Sequence, residues 1–436
     1  MSSWAGSAWR ELGALAGADV RPDGDALAAW VSLADGAPCR WRFLFDGGEA
    51  ALAAGARFAE VQLVADMAGE GDDSPSRLLD RVRVKTVGHS PARTRERLEK
   101  AALGMPRRVA AAMLAGHSPA TGKTPGLPAG SRPDAFSLAR NLAARVWRER
   151  IEEHWTIGWR EGAWTGPLDG ASTPADVDGW RWLPEREGGY LADPFAIEVE
   201  GRVWLFAEAY DFATRKGYIV AGKLDDALAG SRLDVVMQAP WHLSWPNMFE
   251  ASGRIWMLPE AAGGGSIRLH VCERFPDRWR EAAILVEDFA GADPTLHFDG
   301  ELWWLFATDA ADQAESVLHL FSSTSLTGPF RPHPLNPVKV DIASARPAGP
   351  LFRHRGDLIR PVQDCRQGYG GAVVFNRIEH LSPTAFVERD IGTLQPDPAS
   401  LHPSGLHSFT RMSAGTLIDI KRERPSLSRL YHALRP

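Results

Sequence analysis

ADPFAIEVEGRVWLFAE, residues 192–208, reads as two apolar strands joined at a Glu-Gly step, opened by an Asp-Pro pair and closed by an acid. Three later stretches repeat the plan: WPNMFEASGRIWMLPE (245–260), ADPTLHFDGELWWLFATD (292–309) and ARPAGPLFRHRGDLIRPVQD (345–364). Their glycines, Gly201, Gly253, Gly300 and Gly356, recur about every fifty residues, the period of one supersecondary unit made several times over. Each copy ends in an acid or amide: Glu208, Glu260, Asp309, and Gln363 with Asp364.

Working outward from these copies, the chain from His154 onward is made of short strands bounded by Gly, Pro, Asp and Asn, the texture of an all-β sandwich, barrel or propeller. The period selects a propeller, whose four-stranded blades have about that length. Four copies are visible. A fifth blade is expected from the two ends, HWTIGWREGAW (154–164) supplying outer strands and GLHSFTRMSAGTLIDI (405–420) closing the ring. Joining terminal strands in one blade removes exposed sheet edges. The expected architecture is mainly β, a five-bladed β-propeller over 154–425. It is preceded by a small α/β region at 1–115, a Pro/Gly/Ser-rich linker at 116–134 and a connecting helix at 135–153, where Leu138, Leu142, Val146 and Ile151 fall at helical spacing. The linker holds a near match to a phosphate-binding loop, but five residues separate Gly116 from Gly122 where four are required, and prolines follow. A plain linker is the better reading.

Bulk properties narrow the function. At 436 residues the chain has room for two domains. Its net charge of −6, with acids and bases interspersed, leaves no basic face to track a phosphate backbone, so nucleic acid is excluded as a partner. MSSWAGSAWRELGALAGADV lacks the basic and apolar regions of a secretory signal, and no apolar run is long enough for a transmembrane helix. Cys39, Cys272 and Cys365 are odd in number and far apart, giving neither a disulfide framework nor a metal-ligand spacing. A cytoplasmic protein is expected, with no cofactor. His242, His270, His297, His319 and His333 show no HxH or HxxxH spacing, so no metal site is expected either. Tryptophan is over-used: 17 residues, 13 of them between Trp147 and Trp304. Most should fill the β core, and Trp245, alone in a pre-proline slot, is the best candidate for stacking on a sugar ring.

The prolines place the chemistry. Proline cannot donate to a ladder and sits at strand starts and edges, so Pro194, Pro246, Pro294 and Pro347 mark the innermost strand of each blade. The residues before them, Asp193, Trp245, Asp293 and Arg346, should project at the channel mouth, held extended by the following proline. On the second strand, Trp204, Phe206 and Glu208 oppose Val203, Leu205 and Ala207, and the acid arrives at the strand end. Two carboxylates across a polar mouth are the minimum equipment for glycosidic chemistry, one as base or nucleophile and one protonated as acid. The catalytic candidates are therefore Asp193, Glu208, Glu260 and Asp293. Arg346 and Arg360 suit an anionic substrate group, or else an ion pair that holds an acid in place. Asn247, Asp309, Gln363, Asp364 and His407 complete the substrate-binding candidates with Trp245; a satisfied structural role is the alternative for His407.

HWTIGWR, ADPF, the Trp-Pro-Asn step, WMLPE, RFPDRW, ADPTLHFDGELWWLF, PHPLNPV, ARPAG, RPVQDCRQGYG and GLHSFT occur in order. Together they resemble the propeller-like N-terminal domain of plant glucosamine inositolphosphorylceramide transferases and its bacterial relatives, over roughly residues 150–420. That domain looks related to the five-bladed propellers of arabinanase, levansucrase and invertase-type glycoside hydrolases. The resemblance implies a carbohydrate-directed role and carries Asp193 to the Asp of the hydrolases' aspartate-proline motif. It offers Asp293 for their second Asp, and Glu260 or Glu208 for their acid. In the plant proteins a separate glycosyltransferase domain follows; this chain ends at Pro436. The propeller is therefore expected either to act alone or to serve a separate glycosyltransferase. The leading expectation is a propeller that cleaves or transfers a glycosyl unit in surface-glycan or glycolipid metabolism. A non-catalytic glycan- or glycolipid-binding propeller is the alternative, and a protein-interaction propeller a third.

Overall fold

In the computed structural model, which describes residues 3–34, 36–66, 76–118, 132–162, 164, 166–169, 173–174 and 179–425, the glycine-marked repeats become antiparallel sheets. The chain is mainly β and divides into two units. One holds Met1–Glu149 with His333–Ile342 and Glu379–Glu388; the other holds Arg150–Pro332, Ala343–Ile378 and Arg389–Pro436. From residue 119 on, the near-match phosphate loop and the expected linker through 131 lie outside the described residues.

The first unit is built on a five-stranded meander, Ala18–Pro22, Ala28–Leu33, Cys39–Leu44, Phe58–Asp66 and Arg77–Lys85, paired in chain order. Val61, Leu63, Val82 and Val84 recur at the period of two that a half-buried strand requires, and they are buried with Leu12, Leu52, Leu98 and Met105 of the helices. Helix starts follow local chemistry. Ser90 accepts from the Arg93 amide ahead of Pro91, and Asp134 accepts from the Ser137 amide to begin Ala135–Arg148. Two ion pairs tie in the later segments: Arg83 grips Asp341 with two nitrogens at 2.7 and 2.6 Å, and Lys339 Nζ lies 2.7 Å from Glu388.

Among the described residues, the second unit contains five sheets. Sheet I is Gly189–Val199, Arg202–Asp211, Lys216–Lys223 and Asp234–Met237. Sheet II is Ser244–Ala251, Arg254–Glu260, Ile267–Arg274 and Arg278–Val286. Sheet III is Gly291–Phe298, Trp303–Asp309, Val317–Ser323 and Arg331–Pro332. Sheet IV runs Phe352–His354, Asp357–Asp364, Ala372–Leu381 and Phe386–Gln395, with Thr173–Pro174 at its edge. Sheet V joins the two ends of the unit, Gly405–Arg411 and Gly415–Pro425 pairing with Ile151–Glu161, in a register from Gly415 opposite Glu161 to Pro425 opposite Ile151.

Hydrogen bonds join neighbouring sheets. Thr410 Oγ1 donates to Pro194 O (sheet V to I), the Trp245 amide to Asp193 (II to I) and Trp245 Nε1 to Thr295 (II to III). Gln363 donates to Asp293 (IV to III), and the Phe409 amide to Ala348 O (V to IV). Apolar clusters fill the spaces between neighbours: Phe195, Phe206, Trp245 and Met257 between I and II, Leu258, Leu269, Leu305 and Phe321 between II and III. Ile359, Phe375, Phe409 and Ile418 lie between IV and V, and Trp159, Leu205, Val220 and Leu417 between V and I. Such burial is the main source of stability here.

One expectation is corrected at the prolines. Asp193, Trp245 and Asp293 are not extended but left-handed, with φ of 51°, 49° and 48°. Each lies at a break in strand register, between Phe206 and Glu208, between Ser244 and Asn247, and between Ala292 and Thr295. The following proline disfavours right-handed helical geometry, and a β-bulge absorbs the extra residue. A left-handed bulky residue such as Trp245 is strained and must be held by its surroundings.

Candidate functional site

What holds the bulges is carboxylate. The Asp193 amide donates to Asp419 Oδ2 at 2.9 Å, the Trp245 amide to Asp193 Oδ2 at 3.2 Å, and the Asp293 amide to Glu260 Oε2 at 2.9 Å. In each case an acid of one sheet accepts the bulge N–H of the next, around the order V, I, II, III. A kinked strand presents an amide no ladder can satisfy, and a carboxyl oxygen supplies the acceptor it needs.

The acids converge on two cations. His407 lies with Nε2 3.2 Å from Asp193 Oδ1 and Nδ1 2.7 Å from Asp419 Oδ1. Burial opposes its charge, but Asp419 and Asp193 outweigh that and push its pKa to about 10. Asp419 also receives the His407 and Ser408 amides. Burial would raise its pKa, yet the imidazolium holds it below the usual value. Trp155 stacks on His407 with ring centroids 3.9 Å apart, and Lys421 Nζ sits 5.3 Å from the Trp155 ring while donating to Tyr369 O and Glu153. On the other side Arg346 grips Asp293 at 2.6 and 3.0 Å and stands 3.7 Å from Glu260. Its guanidinium lies 4.9 Å from the centroid of the Tyr369 ring.

Between these cations the carboxyls differ. Burial raises the Asp193 pKa even with His407 beside it. Burial, then the Asp293 charge, pushes Glu260 up to about 8. Glu208 is raised well above the usual range, first by burial and next by the Asp193 charge. Its Oε1 is buried without a hydrogen bond, and His242 Nε2 stands 3.5 Å away. His242 Nδ1 accepts from the Gly217 amide, and burial keeps the ring neutral. The proton of the neutral ring is therefore on Nε2, facing Glu208. The His407 imidazolium beside Asp193 favours its charged form, whereas the Asp193 charge near Glu208 favours the protonated form of Glu208.

Asp193, His407 and Asp419 offer donor atoms all within 4.8 Å of one another, a set that could hold a cation. With both ring nitrogens protonated, the imidazolium is itself the cation between the two carboxylates.

Of the sequence candidates, Asp193, Glu208, Glu260, Asp293, Arg346, Gln363 and His407 come together here; Gln363 donates to Asp293 and to Pro347 O. Trp245 is corrected: it is fully buried between sheets I and II and offers no stacking face. Asn247 accepts the Leu296 amide across sheets, and Asp309 accepts the Ala311 amide in a turn. Arg360 is buried, donating to the carbonyls of Ser344 and Ala345 over the Phe306 ring, and Asp364 pairs with Arg366 at 2.6 Å. Arg346 therefore takes the ion-pair role, and Arg360 is a structural donor rather than a substrate anchor. Sequence reasoning missed Asp419, His242 and Lys421. Asp419 did leave a signal, a lone acid inside the apolar run GTLIDI.

Fold and site define a mainly β protein in which neighbouring sheets gather a buried cluster of carboxyls and cations. Residues 185–399 match the family described as glucosamine inositolphosphorylceramide transferase 1, N-terminal, which shows the resemblance carried by the motifs. The glucosamine inositolphosphorylceramide transferase 1 of Oryza sativa subsp. japonica is 34% identical over 212 residues, which are 46% of this chain and 28% of the relative. That of Arabidopsis thaliana is 30% identical over 264 residues, 59% of this chain and 32% of the relative. The chain thus spans about a third or less of the curated relatives it matches. Among solved structures, an alpha-L-arabinofuranosidase of Podospora anserina aligns at 14% identity with a TM-score of 0.41, covering 62% of this chain and 98% of that one. A family 117 glycoside hydrolase of Zobellia galactanivorans aligns at 13% identity with a TM-score of 0.38, covering 66% and 99%. No helix among the described residues is long and apolar enough to cross a membrane.

Proposed function

We propose that the second unit is a five-bladed propeller, each sheet a blade, and that its centre binds a carbohydrate or glycolipid and cleaves or transfers a glycosyl unit. The observation that carries this is the unequal surroundings of two buried carboxyls. Asp193 is clamped to the His407 imidazolium, while Glu208 is buried with Oε1 unbonded beside His242. Environments that push neighbouring acids apart assign a base and an acid. Asp193 is the base or nucleophile and Glu208 the acid. Glu260 is less suited, because its Oε2 is committed to the Asp293 amide. Asp293, fixed by Arg346 and Gln363, sets the field around both. The glycosyl substrate class is supported by the names of the relatives matched over the same residues.

One observation favours a second reading, a glycan-binding unit without turnover that serves a separate glycosyltransferase. Asp193, Asp293 and Glu260 each take part in holding a bulge, and Asp193 and Asp293 are nearly inaccessible at 4% and 2% exposure. The test is turnover and glycan-array binding of Asp193→Asn and Glu208→Gln. The enzyme reading expects losses of about 10²–10⁴-fold in kcat with binding retained. Binding by the wild type with no turnover on any arrayed glycan selects the second reading.

A further inference from the structure

The helix Ala135–Arg148 of the first unit is attached by the wrong side. Its polar face holds it: Asn141 Nδ2 donates to the carbonyls of Leu52 and Gly88, each at 3.0 Å, and Arg140 donates to Ala53 O at 3.0 Å. No residue of the helix is buried. Phe136 is 75% exposed, Trp147 54%, Leu142 45% and Val146 39%, although this helix carries the apolar side chains of an ordinary core helix.

At 100° per residue these four side chains and the intervening alanines fill one arc of about 140°, the width of a buried stripe. Arginine bounds the arc on both sides, Arg140 next to Trp147 and Arg145 on the far side of Leu142, with Arg148 behind them. The helix contains three arginines and no acid, and the C-cap residue Glu149 pairs with Arg145 at 3.0 Å. Arg57, on a neighbouring loop, lies close enough to Arg148 to repel it, so the positive charge extends beyond the helix itself.

We propose that this face is an interfacial membrane anchor: Phe136, Leu142, Val146 and Trp147 enter the headgroup boundary of an anionic lipid bilayer, and Arg140, Arg145 and Arg148 meet its phosphates. An exposed apolar face with a Trp and a Phe, set between basic flanks, is the pattern of a helix that lies in the bilayer surface rather than across it. Arginine stems cover apolar surface while their guanidinium groups reach outward to the charge. Charge decides against a second copy of the chain as the occupant. Two-fold pairing of this face would bring the same arginines of both copies together.

The test is co-sedimentation of the full chain with phosphatidylcholine vesicles, with and without phosphatidylglycerol. The wild type is expected to pellet only with the anionic vesicles, and progressively less as salt rises. Phe136→Ser with Trp147→Ser should weaken that binding at least about tenfold. Arg145→Gln with Arg148→Gln should weaken it and flatten its salt dependence. Both pairs change exposed side chains, so their circular dichroism and thermal transitions should match the wild type, and each serves as a check on the other. Wild type left in the supernatant overturns the proposal. So does serine-variant protein that pellets like the wild type, or a wild-type oligomer that dissociates in the serine variant without any vesicle binding.

Discussion

His407 Nδ1 lies 2.7 Å from Asp419 Oδ1, and both side chains are buried. Asp419 also accepts the amides of Asp193, His407 and Ser408, so one carboxylate serves a charge and three backbone donors in two sheets. Removing that carboxylate's charge leaves a buried imidazolium facing a single acid.

Asp419→Asn is expected to cost about 3–5 kcal/mol, the usual loss when one partner of a buried pair is removed. Urea unfolding measures it. A loss below about 1 kcal/mol would mean that the pair is energetically neutral.

Alkaline pH should destabilise the fold from two sides. The folded pKa of His407, about 10, exceeds its ordinary 6.5, so its contribution is full below 6.5 and is lost as pH rises through about 10. Glu260 rises from 4.5 to about 8, so the folded state holds a proton that the unfolded chain has released, and stability falls as pH climbs from 4.5 to 8. Asp419 works the other way: its contribution is present above 3.8 and is lost as pH falls through its lowered value. Urea unfolding across pH should show the decline. Glu260→Gln should flatten the part below pH 8 and leave the part set by His407.

Trp245→Ala is expected to cost about 3–5 kcal/mol, as for a large buried aromatic. Its Nε1 bond to Thr295 is lost as well. Glycan affinity of the folded fraction should not change. A stable variant with weaker sugar binding would restore the stacking role expected from its pre-proline position.

Gly370→Ala tests the packing behind His407. Gly370 has φ +59°, and a Cβ there would meet His407 Cβ at 2.6 Å and Trp155 Cη2 at 2.8 Å. The variant should lose stability and displace the Trp155–His407 stack, read as a changed near-ultraviolet circular dichroism spectrum. Wild-type stability and an unchanged spectrum would show that the loop yields freely.

The sheets were legible because the hydrophobic period, the turn glycines and the prolines act locally. That logic paired residues 154–164 with 405–420 across the length of the unit, and Ile151–Glu161 does pair with Gly415–Pro425. The same local rule misled at Asp193, Trp245 and Asp293. Whether a pre-proline residue is extended or bulged depends on an acceptor for its amide, and that acceptor lies in another sheet. Arg360 shows the same limit, since a buried arginine bonded to two carbonyls reads in sequence like any pre-proline cation.

The sequence by itself determined the repeat, the acid that closes each copy and the place of Asp193 and Asp293 at the start of a strand pair, because periodicity and proline chemistry are properties of neighbouring residues. Only the tertiary structure decided the surroundings each carboxyl meets. Those surroundings rest on distances among Asp193, Glu208, His242, His407 and Asp419, residues of two sheets and of the loop before Ser244 that are far apart in the chain. Electrostatic energy in a buried site depends on separation and solvent access, and chain order encodes neither directly.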